Sequence, residues 1–199
     1  MQVSGHMSDL ASKGWTSTDN ESTFAELAAT LGGSEVRRQV LRPVRMLDAR
    51  QGTHSALAGL GTFPWHTDGS IALTPPRWMV LRCLEVTRPT STEFCLPDGN
   101  LRRALGQLTL LIRQENGRKA YVPAMVKSSI EHYRIRWDPR ARILGPDAAR
   151  SAVEGAEPSD AVSWRKGRVI VVDNHRVLHR RPAVVATDGR VMMRTFLVS

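Results

Sequence analysis

Cysteine is nearly absent: Cys83 and Cys95 are the only two in 199 residues. Two thiols in a chain of this size make no disulfide framework, so a reducing, cytoplasmic setting is expected. They lack the clustered Cys and His partners of a structural zinc site and read as small core residues. No run approaches eighteen apolar residues, so no membrane-spanning helix is expected. No basic segment leads into an apolar one near the start, so no secretory signal is expected either. The fragment GHM at Gly5–Met7 looks like a cloning scar, and residues 1–7 are set aside as a scar or a disordered end. Lysine-rich runs are missing too. The formal charge is +9, from 28 Lys+Arg against 19 Asp+Glu, but the surplus lies in single arginines and in pairs such as Arg37–Arg38, Arg102–Arg103 and Arg180–Arg181. That distribution reads as a solvated, arginine-rich surface rather than a nucleic-acid site.

What is present suffices for one domain spanning residues 1–199, since 41% of the chain is hydrophobic and a chain of this length can bury a substantial core. DNESTFAELAATLGGS, with Thr23 and Glu26 in capping-box spacing and Gly32–Gly33 as a stop, predicts a short helix. EVRRQVLRPVRML, interrupted by Pro43, predicts an edge strand or extended segment. Residues 51–62 are small and Gly-rich and predict a loop. RWMVLRCLEV (Arg77–Val86) predicts a strand. In NLRRALGQLTLLIRQENG, Leu101, Leu105, Leu108, Leu111 and Ile112 fall on one helical face between Asn100 and Gly117, which predicts a long helix. IEHYRIRWD alternates as a half-buried strand, and a further short helix is expected after Pro146. The tail reads as strand (VIVVD), Asp-Asn turn, a second extended piece, a TDG turn and a final strand. The expected class is therefore mixed and β-rich, with a few flanking helices.

The stretch WHTDGS at Trp65–Ser70 sets an imidazole and a carboxylate two positions apart. Neighbours on a helix would be three or four apart, whereas residues i and i+2 of an extended segment point to the same side. If Pro64–Ser70 is extended, His66 and Asp68 therefore present two metal-ligating groups together. A third ligand from elsewhere would complete the two-His, one-carboxylate face that suits non-haem Fe(II) and leaves three positions open. Among the other histidines, His6 lies in the suspected scar, His54 reads as a polar loop residue, and His132 reads as packing or surface. His175 and His179 in DNHRVLH would be a zinc pair on a helix, but VIVV is a strand that DN breaks. His179 is the better third ligand. On the last strand Arg190, Met192 and Arg194 share one face; arginines turned inward there would need anions, and the other reading is two exposed arginines on an edge strand.

WHTDGS followed by TPPRWMVLRC, then far downstream GRVIVVDNHRVLHRR and GRVMMR, resembles the taurine dioxygenase-like Fe(II)/2-oxoglutarate-dependent oxygenases over roughly residues 35–95 and 164–199. The resemblance implies a double-stranded β-helix, or jelly roll, of the cupin-like kind. It implies that His66, Asp68 and His179 hold iron and that Arg190, eleven residues past His179, binds the far carboxylate of 2-oxoglutarate. Arg194 matches a second arginine, and which of the two anchors the co-substrate stays open. Thr92 matches a threonine that touches the same carboxylate, with Thr90 as rival; the glycines usual before it are absent. Asp68 itself sets the chain apart from related halogenases, where a small residue stands at that position. The chain is short for the family, which implies a substrate pocket left open or closed by a partner.

The implied activity is oxidative decarboxylation of 2-oxoglutarate with O2, coupled to hydroxylation or desaturation of a small anionic or amino-acid-like substrate. Asn174 either steadies the site or serves only the turn, and Trp65 and Trp78 read as packing residues. The contrary readings are a metal-holding barrel without turnover and a basic module for polyanions or nucleic acid. The sequence leaves the oligomeric state open.

Overall fold

A computed structural model describes residues 2–113, 117–127 and 133–198. The chain runs through helix α1 (Gln2–Lys13), strand β1 (Trp15–Thr18), helix α2 (Glu21–Thr30), strand β2 (Ser34–Leu41) and a one-turn helix α3 (His54–Ala58). Strands β3 (Trp78–Val86) and β4 (Ser91–Cys95) follow, then helix α4 (Gly99–Gly106) and strands β5 (Thr109–Arg113), β6 (Lys119–Pro123), β7 (Met125–Lys127), β8 (Tyr133–Ile135) and β9 (Arg142–Leu144). Helix α5 (Asp147–Glu154) leads into β10 (Asp160–Ser163), β11 (Val169–Asp173), β12 (Leu178–Arg180) and β13 (Arg190–Val198). The mixed, β-rich class with few helices is as expected.

Five strands form an antiparallel sheet in the order β1-β11-β3-β13-β2, and β10-β4-β12 form a second antiparallel sheet. The β-branched run of β11 explains its place inside the larger sheet, because every residue from Val169 to Asp173 is buried and both faces are covered. Its alternation sorts the residues into two cores. Ile170 and Val172 pack with Met79, Met192 and Phe196 against Phe94 and Val162 of the smaller sheet. Val169 and Val171 pack the other way, with Val80 and Leu197, against Leu10 of α1 and Phe24 and Leu27 of α2. Each such aliphatic side chain withdrawn from water contributes about 1.5–3 kcal/mol. β2 is an edge strand, as Pro43 suggested, whereas β13 lies between β3 and β2, so the reading of its arginines as edge-strand surface does not hold.

Several local expectations need correction. Residues 2–7, set aside at the outset, belong to α1, whose Leu10 is 3% exposed. The cap of α2 is Asn20, whose side chain accepts hydrogen bonds from the Ser22 and Thr23 amides; Thr23 lies inside the helix. The loop expected at 51–62 contains α3, with Thr53 as its cap. The long helix expected after Asn100 stops at Gly106, is capped by Asp98, and is followed by β5. Leu108 belongs to both periods. Leu101, Leu105 and Leu108 keep helical spacing, while Leu108, Leu110 and Ile112 keep strand spacing, and it is Leu110 and Ile112 that are buried with Leu111 turned aside. Pairing with β6 and β9 decides for the strand. The expectation for His132 lies outside the described residues. No helix among the described residues is long and apolar enough to cross a membrane.

Candidate metal centre and anion-binding arginines

His66 is positioned by an isolated antiparallel bridge to His179, with reciprocal backbone hydrogen bonds of 3.1 and 3.0 Å. The Phe63 amide extends this ribbon by donating to the Arg181 carbonyl at 2.8 Å. Residues directly opposite in such a bridge point to the same face, and the two imidazoles meet with ring centroids 4.4 Å apart. The extended segment is shorter than Pro64–Ser70, because a turn begins at Asp68. Asp68 still points the same way as His66, and one ligating atom from each of His66, Asp68 and His179 lies within 4.8 Å of the others. Gly69 makes the turn possible: its φ is +67°, and a Cβ there would stand 2.8 Å from the Pro76 ring.

Asn174 holds the turn from the far side. Its Oδ1 accepts from the Asp68 amide at 2.8 Å, while its Nδ2 donates to the carbonyls of Asp68 (2.8 Å) and Pro76 (2.9 Å). Of the two roles the sequence left open for Asn174, the contacts favour steadying Asp68. The neighbouring Asp173 is tied to Arg77, which donates to it through Nε and Nη2. His175 turns away from the cluster onto the Pro75 carbonyl at 3.0 Å. With His175 in a turn and His179 on β12, the helical zinc pair does not form.

The protonation states suit metal binding. Burial, and then the neighbouring imidazoles of His54 and His179, holds His66 well below the ordinary histidine range, in the neutral form that ligates. Its Nδ1 lies 2.9 Å from the Pro64 carbonyl, which directs Nε2 toward the cluster. Burial works to raise the Asp68 carboxyl, but the Arg194 guanidinium and the two histidines outweigh it and keep the group ionised. His179 Nδ1 is buried and without a hydrogen-bond partner. His54, read from sequence as a polar loop residue, packs its ring against His66 in a tilted pair with centroids 4.1 Å apart. Burial, then the Arg140 charge, lowers it from 6.5 to about 4. Nothing in the Gly-rich segment around His54 signalled this contact, which arises from how the loop folds back.

The arginines occupy distinct places. Arg194 reaches Asp68 through Nη1 and Gln39 through Nη2. Arg190 is 8% exposed and donates from Nη1 to Thr90 Oγ1 at 3.2 Å and the Ser91 carbonyl at 3.3 Å. Thr90, the rival, is thus the threonine beside Arg190, while Thr92 Oγ1 accepts from Trp164 Nε1 at 3.0 Å. An open groove lined by Thr87, Thr90, Ser91, Trp164 and Pro182 approaches this end. Burial, and then the charge of nearby Arg181, lowers Arg190 from 12.5 to about 10. Arg181 was not singled out in the sequence beyond its place in an arginine pair. Trp65 packs as expected, 1% exposed, with its indole donating to the Ala156 carbonyl at 2.7 Å.

No protein-family model and no curated protein matches the sequence. Solved structures do. The non-heme iron oxygenase OrfP in complex with Fe is similar with a TM-score of 0.64 and 17% identity, covering 99% of this chain and 79% of that one. A taurine dioxygenase from Burkholderia xenovorans gives a TM-score of 0.64 at 16% identity, covering 100% and 82%. An asparagine oxygenase in complex with Fe(II), 2S,3S-3-hydroxyasparagine and succinate gives 0.56 at 18% identity, covering 99% and 90%. At these identities the likeness is one of architecture: the chain shares its fold with the taurine dioxygenase and the non-heme iron oxygenases beside it.

Proposed function

We propose that this protein is an Fe(II)- and 2-oxoglutarate-dependent dioxygenase that hydroxylates or desaturates a small anionic or amino-acid-like substrate. We read its two facing sheets as a double-stranded β-helix with the site between them. The observation that carries the reading is the convergence of His66, Asp68 and His179 in the same molecule as the buried Arg181 and Arg190, which pair with no carboxylate among the described residues. Two imidazoles and one carboxylate suit a divalent iron and leave room for other ligands. The chemistry Fe(II) supplies when bound is activation of O2 with oxidative decarboxylation of 2-oxoglutarate to succinate and CO2. The chain's own part is to hold, orient and shield. His66 and His179 offer their rings from one bridged ribbon, and Asn174 fixes the backbone of Asp68 so that its carboxylate keeps its aim. Arg190, braced by Thr90 and Ser91, receives the far carboxylate of the oxo acid in a charge-assisted pair.

The substrate class rests on Arg194. A guanidinium already seated on one carboxylate beside the triad suits a substrate that carries another. The OrfP complex with Fe, succinate and (3S)-hydroxy-L-Arg and the asparagine oxygenase complex show that this fold accommodates amino acids in those proteins. A polyanion-binding module is not favoured, because many arginines are spent in ion pairs, among them Arg82 with Glu21 and Glu35, Arg168 with Asp19 and Arg180 with Glu93. The test needs no substrate. Anaerobic addition of Fe(II) and 2-oxoglutarate should give the weak visible charge-transfer band of the chelated oxo acid, lost in His66→Ala and weakened in Arg190→Ala. A folded, metal-loaded protein that gives no band would overturn the assignment.

A further inference from the structure

Arg181 is 6% exposed, and its surroundings supply hydrogen-bond acceptors for only one of its nitrogens. Nη2 donates to the carbonyls of Gly59 (2.6 Å) and Gly61 (2.8 Å), and the guanidinium lies over the Phe63 ring at 4.0 Å. Among the described residues Nε and Nη1 are buried without a partner, and no carboxylate pairs with the side chain. A buried cation in that condition is costly unless an anion joins it. The side chain sits where such an anion would be used. Residues 179 and 181 are two apart on an extended segment, so Arg181 follows His179 on the same face, and Arg190 is near enough to feel its charge. The two buried arginines repel each other, and among the described residues neither has an acid to answer it.

We propose that Arg181 is a second cationic ligand for the far carboxylate of 2-oxoglutarate, facing it with Nε and Nη1 opposite Arg190. The inference rests on the dioxygenase reading and deepens it. Because Nη2 stays on the Gly59 and Gly61 carbonyls, the same guanidinium ties the bound carboxylate to the segment that leads into His66.

The experiment is an anaerobic titration of the Fe(II)-loaded protein with 2-oxoglutarate and with 2-oxobutyrate, which chelates through the same end but lacks the far carboxylate. Affinity is read from calorimetry and from the charge-transfer band. Arg181→Met, which keeps the length and apolar bulk of the stem, should weaken 2-oxoglutarate about tenfold or more, the scale of a charge-assisted hydrogen bond, and leave 2-oxobutyrate within about twofold. Arg181→Lys, which keeps the charge but loses the fork, should fall between wild type and Arg181→Met on 2-oxoglutarate alone; it also serves if the Met variant fails to fold. Equal weakening of both oxo acids would make Arg181 a structural clamp and overturn the proposal, as would an unchanged preference for the dicarboxylate. If the wild type binds neither oxo acid while folded and metal-loaded, the dioxygenase reading fails with it. If Arg190→Met loses the preference and Arg181→Met keeps it, only the Arg181 proposal fails.

Discussion

The two ends of the candidate site are built on opposite electrostatic terms. At the triad, one carboxylate is answered by Arg194 and flanked by His66, whose imidazole burial keeps neutral, and the backbone beside it is closed by Asn174. At the other end two guanidiniums are buried with, among the described residues, hydroxyl and carbonyl partners only. The Asp68 carboxylate is paired in the free protein, while the arginine end is left positive. A fold selected for stability alone would pair or replace buried cations. Keeping them uncompensated has a physical rationale if a ligand brings the missing negative charge, so the imbalance itself points to where an anion goes.

The sharpest way to break the comparison is to remove one side of the triad. His179→Ala should abolish Fe(II) binding while the far-ultraviolet dichroism and the cooperative melt stay in place, because the residue's backbone, not its ring, carries the bridge to His66. Retained stoichiometric iron in an anaerobic binding assay would remove His179 from the ligand set and leave the imidazoles as packing. A smaller effect is expected one layer out. Asn174→Ala keeps all three candidate ligands but frees the Asp68 backbone, and it should weaken Fe(II) by about 10- to 100-fold, as loss of a group that orients a ligand does elsewhere. An affinity within twofold of wild type would show that Asn174 serves only the turn.

How much of this could be read from the sequence follows the same division. The triad was legible because a two-residue spacing means one thing on an extended chain, and because VIVVD and LHR are short, strongly patterned strands. The inward turn of Arg190 was legible from the alternation of the last strand, which placed Arg194 on the same face; only the resemblance singled out Arg190 for the oxo acid. Thr90 was legible only as the rival to Thr92. They lie two apart and share a face of the extended segment, so spacing could not separate them; Trp164, whose indole donates to Thr92, leaves Thr90 to Arg190. Arg181 and His54 were not legible. Arg181 looked like one of many arginines, and its burial depends on Gly59 and Gly61 carbonyls more than a hundred residues earlier. The helix that became α4 and β5 failed differently. Leu108 satisfies both periods, and only the long-range pairing of β5 with β6 and β9 selects between them.

Acid offers the gentlest way to separate the two ends, since it titrates one and not the other. His54 is held at about 4 in the fold against 6.5 for the free side chain. Between those values the unfolded chain binds a proton that the folded one refuses, so stability is full above about pH 6.5 and is lost as the pH falls toward 4. Allowing for partial exposure, the loss at this residue is on the order of 2 kcal/mol, or about 5 °C in melting temperature for a chain of this size. The arginines stay charged throughout that window, so their end contributes nothing to the change. His54→Gln keeps a polar side chain of similar reach without the titration, and its melting temperature in metal-free protein should fall less than wild type's between pH 7 and pH 4.5. The difference isolates His54 from His66, which is held low by the same burial and remains in both proteins. Identical losses would mean that His54 is protonated in the fold at little cost. The ring beside His66 would then be solvated, and the neutral character of His66 would rest on its own burial.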